Sequence, residues 1–264
     1  FGETPDPGLP ARLTAELKAK FPDAGEINWP GDPALPGFIS IAYLRGGARF
    51  DPPFEEEPGE LSFPGLSGKE APVGCFGFCE YGPPVPEAVR RHVKVLYSGQ
   101  SNSAECPPYG PFAVDLAADN PDVAVILATD EPGKSLEATW RRVEEAASKW
   151  RYRRDERYTA LAEDESLLVP TLAFQLDKLM QLGLRTPDRA EGDFALYYLY
   201  QQVGLNLTAQ GAVVSSIAAN APAGGDLTRS FVFYKPFLVA LKLRKAEEPF
   251  FLMWVANAEL MRKR

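Results

Sequence analysis

Two serines flank a Gly-Gln pair where a short apolar run ends, in Val95-Leu-Tyr-Ser-Gly-Gln-Ser-Asn102. A strand that delivers Ser101 into a polar turn is one way to present a hydroxyl nucleophile, and such a nucleophile needs a base to take its proton. The single histidine, His92, lies upstream, at the start of the run that leads to Ser101. A polar loop after a strand is therefore the simpler reading of this motif. Cys75, Cys79 and Cys106 with His92 would offer four ligands to zinc. The Cys-x3-Cys spacing is wrong for a zinc knuckle, however, and no second histidine or paired cysteine completes the set. Buried or surface thiols explain these residues better, and three cysteines do not build a disulfide framework.

One further cluster mixes charge and rings. Arg151, Arg153, Arg154 and Arg157 interleave with Trp150, Tyr152 and Tyr158, a combination able to hold a polyanion or a single nucleic-acid strand. Asp155 and Glu156 dilute its charge, and a solvated helix end with its rings turned inward fits the same residues. The acidic runs Glu55-Glu-Glu57 and Glu163-Asp-Glu165 read as solvated surface. No glycine-rich phosphate loop follows a strand, so nucleotide binding has no support.

The most unusual stretch carries no chemistry of this kind. From Phe194 to Gly225 there is no charged residue. From about Gly211 to Tyr234, a stretch uncharged as far as Gly225, the sequence reads as a loop presented between strands. The expectation is that this loop is the working part and that the chain is not an enzyme.

The elements that position it follow from periodicity. Pro10 to Phe21 reads as a helix with Leu13, Leu17 and Phe21 on one stripe, and Pro10 suits a first turn. Phe38 to Leu44 is a buried strand. Val73 to Phe78, Val93 to Tyr97, Phe112 to Leu116 and Asp122 to Ala128 are further strands. Ser135 caps a helix that places Leu136, Trp140, Val143, Ala147 and Trp150 along one side. Leu167 to Phe174 is a strand whose Pro170 argues for an edge or a bulge. Gln175 to Leu182 reads as a short helix closed by Gly183. Phe231 to Leu243 and Pro249 to Ala256 are two long closing strands. Strands and helices mix without a βαβ rhythm, which makes the fold class α+β, in a single domain spanning residues 1–264.

Composition sets outer limits. The 264 residues include 25 Pro and 22 Gly, so loops are many and often stiff. A net charge of −8 leaves no basic excess to displace counterions from a phosphate backbone, which argues against nucleic-acid partners. No apolar run reaches the length of a membrane span, so no membrane partner is expected. The sequence opens with Phe1 and shows no signal-peptide pattern there, which points to a segment cut from a longer precursor.

Several motifs, in order, carry a resemblance. Ile41-Ala-Tyr-Leu44, Phe50-Asp-Pro-Pro-Phe54 and Leu61-Ser-Phe63 come first, then Val123-Ala-Val-Ile-Leu-Ala128 and Gly133-Lys-Ser-Leu136. Leu168-Val-Pro-Thr-Leu172 with Leu179-Met-Gln-Leu-Gly-Leu184, Leu205-Asn-Leu-Thr-Ala-Gln-Gly211, Phe231-Val-Phe-Tyr-Lys-Pro-Phe-Leu238 and Pro249-Phe-Phe-Leu-Met-Trp-Val-Ala-Asn257 complete the series. Together they resemble the serpin family of serine protease inhibitors over the C-terminal two-thirds of its fold, without its N-terminal helices. Ala42 and Gln201 stand where serpins carry an Asn and a His, Phe50 where they carry a Trp, and Met253 where they carry a Gly. The Ser101 motif, taken alone, is similar to that of some carbohydrate esterases.

The serpin resemblance implies mixed β-sheets with helices and an exposed reactive-centre loop. It also implies that this loop is cleaved and inserts as a strand to trap a serine or cysteine protease. It places the loop hinge at Gly211, Ala212, Val213, Val214, Ser215 and Ser216, and the scissile bond at Gly225–Asp226, with Arg229 the nearby basic alternative. It requires no cofactor and implies an extracellular setting. The alternatives are a non-inhibitory binding or scaffold protein of the same shape and, more remotely, a Ser101-dependent esterase.

Overall fold

Strand alternation and helix capping, read along the chain, yield fifteen strands and four α-helices among the residues that the computed structural model describes: 2–3, 9–20, 37–43, 48–79, 85–99, 110–185, 194–211 and 229–264. In chain order they are β1 (Gly2–Glu3), α1 (Leu9–Lys20), β2 (Gly37–Tyr43), β3 (Glu55–Glu56), β4 (Leu61–Pro64), β5 (Glu70–Val73), β6 (Cys75–Phe78), α2 (Glu87–Arg90), β7 (Lys94–Ser98), β8 (Phe112–Asp115) and β9 (Val123–Thr129). There follow α3 (Leu136–Lys149), α4 (Glu156–Thr159), β10 (Ser166–Pro170), β11 (Leu172–Arg185), β12 (Phe194–Leu207), β13 (Ser230–Val232), β14 (Phe237–Leu243) and β15 (Phe251–Val255), with a 3-10 turn at Ala258–Leu260. Among the described residues no helix is long and apolar enough to cross a membrane.

The chain divides into two units. The first, Phe1–Arg45 with Gln175–Gly204, holds α1 and most of a sheet in the order β1-β2-β12-β11. Within it β2 and β12 run parallel in register from Leu196 opposite Gly37 to Gln202 opposite Tyr43, so Gln201 lies opposite Ala42.

The second unit, Gly46–Phe174 with Leu205–Arg264, holds the core. An antiparallel sheet runs in the order β15-β14-β9-β8-β7, and its strands β14, β9 and β8 are buried on both faces. Along β9, Val125 and Leu127 join the main core, while Ala124, Ile126 and Ala128 face a second cluster with Trp140 and Val143 of α3. Two-sided burial explains why this segment reads as one continuous apolar run. The Ser135 side chain caps α3 by accepting from the Ala138 N–H at 3.1 Å. A four-stranded sheet β13-β10-β6-β3 and the hairpin β4-β5 complete the unit.

Four expectations are corrected. Gln175–Leu182 is not a helix but part of the strand β11, which pairs with β12. Phe174, Leu176, Met180, Leu182 and Leu184 alternate with mostly polar neighbours, and that two-residue period prevails over local helix propensity. Pro170 does not sit on an edge strand: β10 lies between β13 and β6, and the proline ends it, where a missing N–H costs least. Phe231–Leu243 is two strands in different sheets, separated at Phe233–Pro236. Val73–Phe78 likewise divides at Gly74, whose N–H donates to the Arg262 carbonyl at 2.8 Å.

Candidate functional site

The segment expected to be the working loop is described at its two ends, up to Gly211 and from Arg229. The first follows β12, where Leu205, Leu207 and Ala209 are buried in the core. Thr208 and Gly211 then close a tight reversal. The Thr208 N–H donates to the Gly211 carbonyl at 2.8 Å, and the Gly211 N–H donates to the Thr208 carbonyl at 3.1 Å. Gly211 adopts φ +133, and a Cβ there would meet the Ala48 carbonyl oxygen at 2.4 Å and the Arg49 Cα at 2.8 Å. Glycine is the residue that this backbone path and this close approach both require.

The reversal is fastened to the segment from Ala48 to Glu56. Gly211 forms an antiparallel bridge with Arg49. The Phe50 N–H donates to the Gln210 carbonyl at 3.0 Å, the Phe54 N–H to the Ala209 carbonyl at 2.8 Å, and the Gln210 amide to a Glu56 carboxylate oxygen at 2.6 Å. Phe50 and Phe54, both buried, meet edge to face with ring centres 4.8 Å apart.

The far root begins at Arg229. Its side chain is 7% exposed, and the guanidinium pairs with both oxygens of Glu165 and donates to the carbonyls of Tyr158 at 2.7 Å and Ala160 at 3.2 Å. It also lies over the Phe231 ring at 5.4 Å. β13 then runs parallel to β10, with Ser230 opposite Ser166 and Val232 opposite Leu168. Phe231 and Phe233 bury completely against Phe112. Arg229, the basic alternative for cleavage, is thus an anchor: its side chain is engaged on every donor-bearing edge and is not offered to a protease pocket. Sequence reasoning missed this role. The signal was Glu165, which reads as surface within Glu163-Asp-Glu165 yet is 6% exposed. Of the expected site, Gly211 lies in this frame, while Ala212, Val213, Val214, Ser215, Ser216, Gly225 and Asp226 lie outside the described residues.

The other candidate chemistry is also placed. His92 is 1% exposed, with Nδ1 2.7 Å from Asp119 Oδ2 and Nε2 2.7 Å from the Pro52 carbonyl. Both ring nitrogens are engaged by oxygen acceptors, so neither is directed at a metal or at a serine hydroxyl. The buried Cys75 thiol donates to the Gly59 carbonyl at 3.3 Å. Burial first, and the Glu57 carboxylate second, push it up to about 12, away from the thiolate that a metal needs. Among the described residues no group of three or more His, Cys, Asp or Glu could hold a metal ion. Ser101 and Cys106 lie outside the described residues. In the basic-aromatic cluster, Tyr152 stacks on Tyr158 at 4.1 Å and carries the Arg151 guanidinium at 4.4 Å, while Arg157 pairs with Asp155. The ring faces that would stack bases are occupied.

Compared by sequence, the chain matches no protein-family model and no curated protein. Compared by structure, it is similar to solved serpins. Human glycosylated kallistatin superposes with a TM-score of 0.52 at 12% identity, covering 94% of this chain and 63% of its own. Thyroxine-binding globulin, solved as a complex with thyroxine, gives a TM-score of 0.54 at 10% identity, covering 93% and 63%. The thermophilic serpin tengpin in its native state gives 0.50 at 12% identity, covering 95% and 63%. The chain has an α+β serpin-like fold. It spans 63% of the length of each of these three solved structures.

Proposed function

We propose that this chain acts as a single serpin-like domain that inhibits a protease of the serine or cysteine type in an extracellular setting. The uncharged loop after Gly211 is its bait, and no cofactor is involved. Cleavage at Gly225–Asp226 frees the segment Ala212–Ser216 to enter the β2–β12 sheet as a strand, which carries the acylated protease with it.

The observation that carries this reading is the reversal at Thr208–Gly211, where Gly211 pairs antiparallel with Thr208 just past the end of β12. β2 is parallel to β12, so a strand entering between them is antiparallel to both. One parallel ladder is exchanged for two antiparallel ones, each slightly more stable per residue. Ala212, Val214 and Ser216 would share one face, and the absence of charge matters because an unpaired charge in a sheet interior is expensive.

A panel of serine and cysteine proteases tests the proposal. Trapping gives a complex that survives SDS. Cleavage within the loop with no such complex overturns inhibition and leaves the second reading, a binding or scaffold protein of the same fold. The register favours that second reading at one point: Ala42 lies opposite Gln201, where the serpin resemblance implies an Asn and a His.

A further inference from the structure

The contacts of His92 go beyond filling a core. The ring nitrogens face a carboxylate and a carbonyl, each at 2.7 Å, and neither acceptor has a proton to give. A neutral imidazole has one N–H and one lone pair, so it satisfies one of these contacts and sets a lone pair against oxygen in the other. The doubly protonated ring donates to both. Its surroundings fit that state. Asp119, half-exposed in the turn between β8 and β9, is the charged group in contact. The segment around Pro52 contributes its carbonyl and the rings of Phe50 and Phe54, centred 6.0 and 5.6 Å from the imidazole. Asp51, next to Pro52, is exposed, and Arg91 is occupied by Glu87.

Pro52 sits between the two residues whose N–H groups hold the loop root, Phe50 on the Gln210 carbonyl and Phe54 on the Ala209 carbonyl. The chain of contact therefore runs from Asp119 through His92 to Pro52, and from its neighbours to the Thr208–Gly211 reversal. We infer that His92 is a proton-dependent clasp: the doubly protonated ring ties the segment from Phe50 to Phe54 to Asp119, steadies the root of the loop, and releases it as the proton is lost. The clasp therefore tightens on acidification. This deepens the inhibitory reading, since it governs how freely the hinge departs, but its test needs no protease.

Hydrogen exchange at the Phe50 and Phe54 amides reads the clasp directly. With each rate divided by the intrinsic chemical rate at the same pH, wild-type protection falls about tenfold between pH 5 and 8. Asp119→Asn replaces the carboxylate by an amide that can donate to or accept from Nδ1, so the neutral ring is satisfied as well and protection becomes independent of pH. His92→Gln lowers protection at every pH. Wild-type protection that does not vary with pH, or that varies identically in Asp119→Asn, overturns the inference. A flat exchange profile with a trapped protease would sink the clasp alone, and a pH-dependent profile with no trapped complex would sink inhibition alone.

Discussion

Arg229 and Glu165 form a two-pronged ion pair in which both side chains are 7% exposed, and it fixes the chain at the start of β13. A planar guanidinium suits this site because it satisfies the carboxylate and two carbonyls at once. Removing one partner leaves the other charged and buried, which costs about 3–5 kcal/mol, whereas replacing both with apolar residues of similar volume is far milder. Arg229→Met and Glu165→Gln should each lower the unfolding midpoint in denaturant strongly, and the double variant Arg229→Met/Glu165→Leu should recover most of the loss. An arginine-specific protease should leave the bond after Arg229 intact in the folded wild-type protein. Equal losses in the double variant and the sum of the single ones would show that the pair is not coupled.

Gly211 offers a separable test of sterics and backbone conformation. In Gly211→Ala the new methyl meets the Ala48 carbonyl at 2.4 Å and φ +133 is strained, so the variant should lose at least about 2 kcal/mol. Gly68, at φ +74, has nothing within 4 Å of an added Cβ. Gly68→Ala therefore meets only the backbone term, about 1 kcal/mol. Denaturant unfolding of the two variants separates the terms, and a Gly68→Ala loss as large as that of Gly211→Ala would contradict the close approach.

Legibility in the sequence varied with how local each signal is. β2, β9 and the capped helix α3 carry their own periodicity and lie where that periodicity places them. β11 departs from the helix expected there because Leu179 and Gly183 imitate a helix and its cap, while the strand owes its form to pairing with β12, a contact that helix propensity does not register. The need for glycine at position 211 depends on Ala48 and Arg49, and the burial of Arg229 depends on Glu165. Neither pairing leaves a periodic trace. His92 fits no catalytic or metal motif because its partners, Asp119 and a carbonyl, come from separate turns.

Cys75 gives the protein a specific weakness at high pH. Its thiol is pushed from an ordinary 9.0 up to about 12, by burial first and by Glu57 second. The folded state therefore keeps a proton that the unfolded chain gives up. The stability associated with that proton is complete below pH 9 and is lost as pH rises towards 12, by up to about 1.4 kcal/mol per pH unit. Cys75→Ala removes the linkage. The difference in unfolding free energy between wild type and this variant should be constant below pH 9 and shift in favour of the variant above it. A difference that stays constant up to pH 11 would show that the thiol ionises freely in the folded protein.

Charge placed in the hinge separates loop cleavage from loop insertion. Val214 falls, by strand alternation, on the same face as Ala212 and Ser216, the face proposed to enter the sheet. If the five residues Ala212–Ser216 gain strand hydrogen bonds at about 1 kcal/mol each, the cleaved protein is more stable by about 5 kcal/mol. At about 2–4 °C per kcal/mol for a chain of this size, cleavage should raise the melting temperature by about 10–20 °C. Val214→Arg should leave the uncut protein's melting temperature unchanged and the loop just as cleavable. It should abolish both the rise after cleavage and any SDS-stable complex, because an unpaired guanidinium in the sheet costs more than the new hydrogen bonds return. Calorimetry of cut and uncut wild type and variant makes the comparison. A wild-type melting temperature that cleavage leaves in place removes insertion from the mechanism, and an unimpaired rise in Val214→Arg means that the inserted face is not the one that alternation assigns.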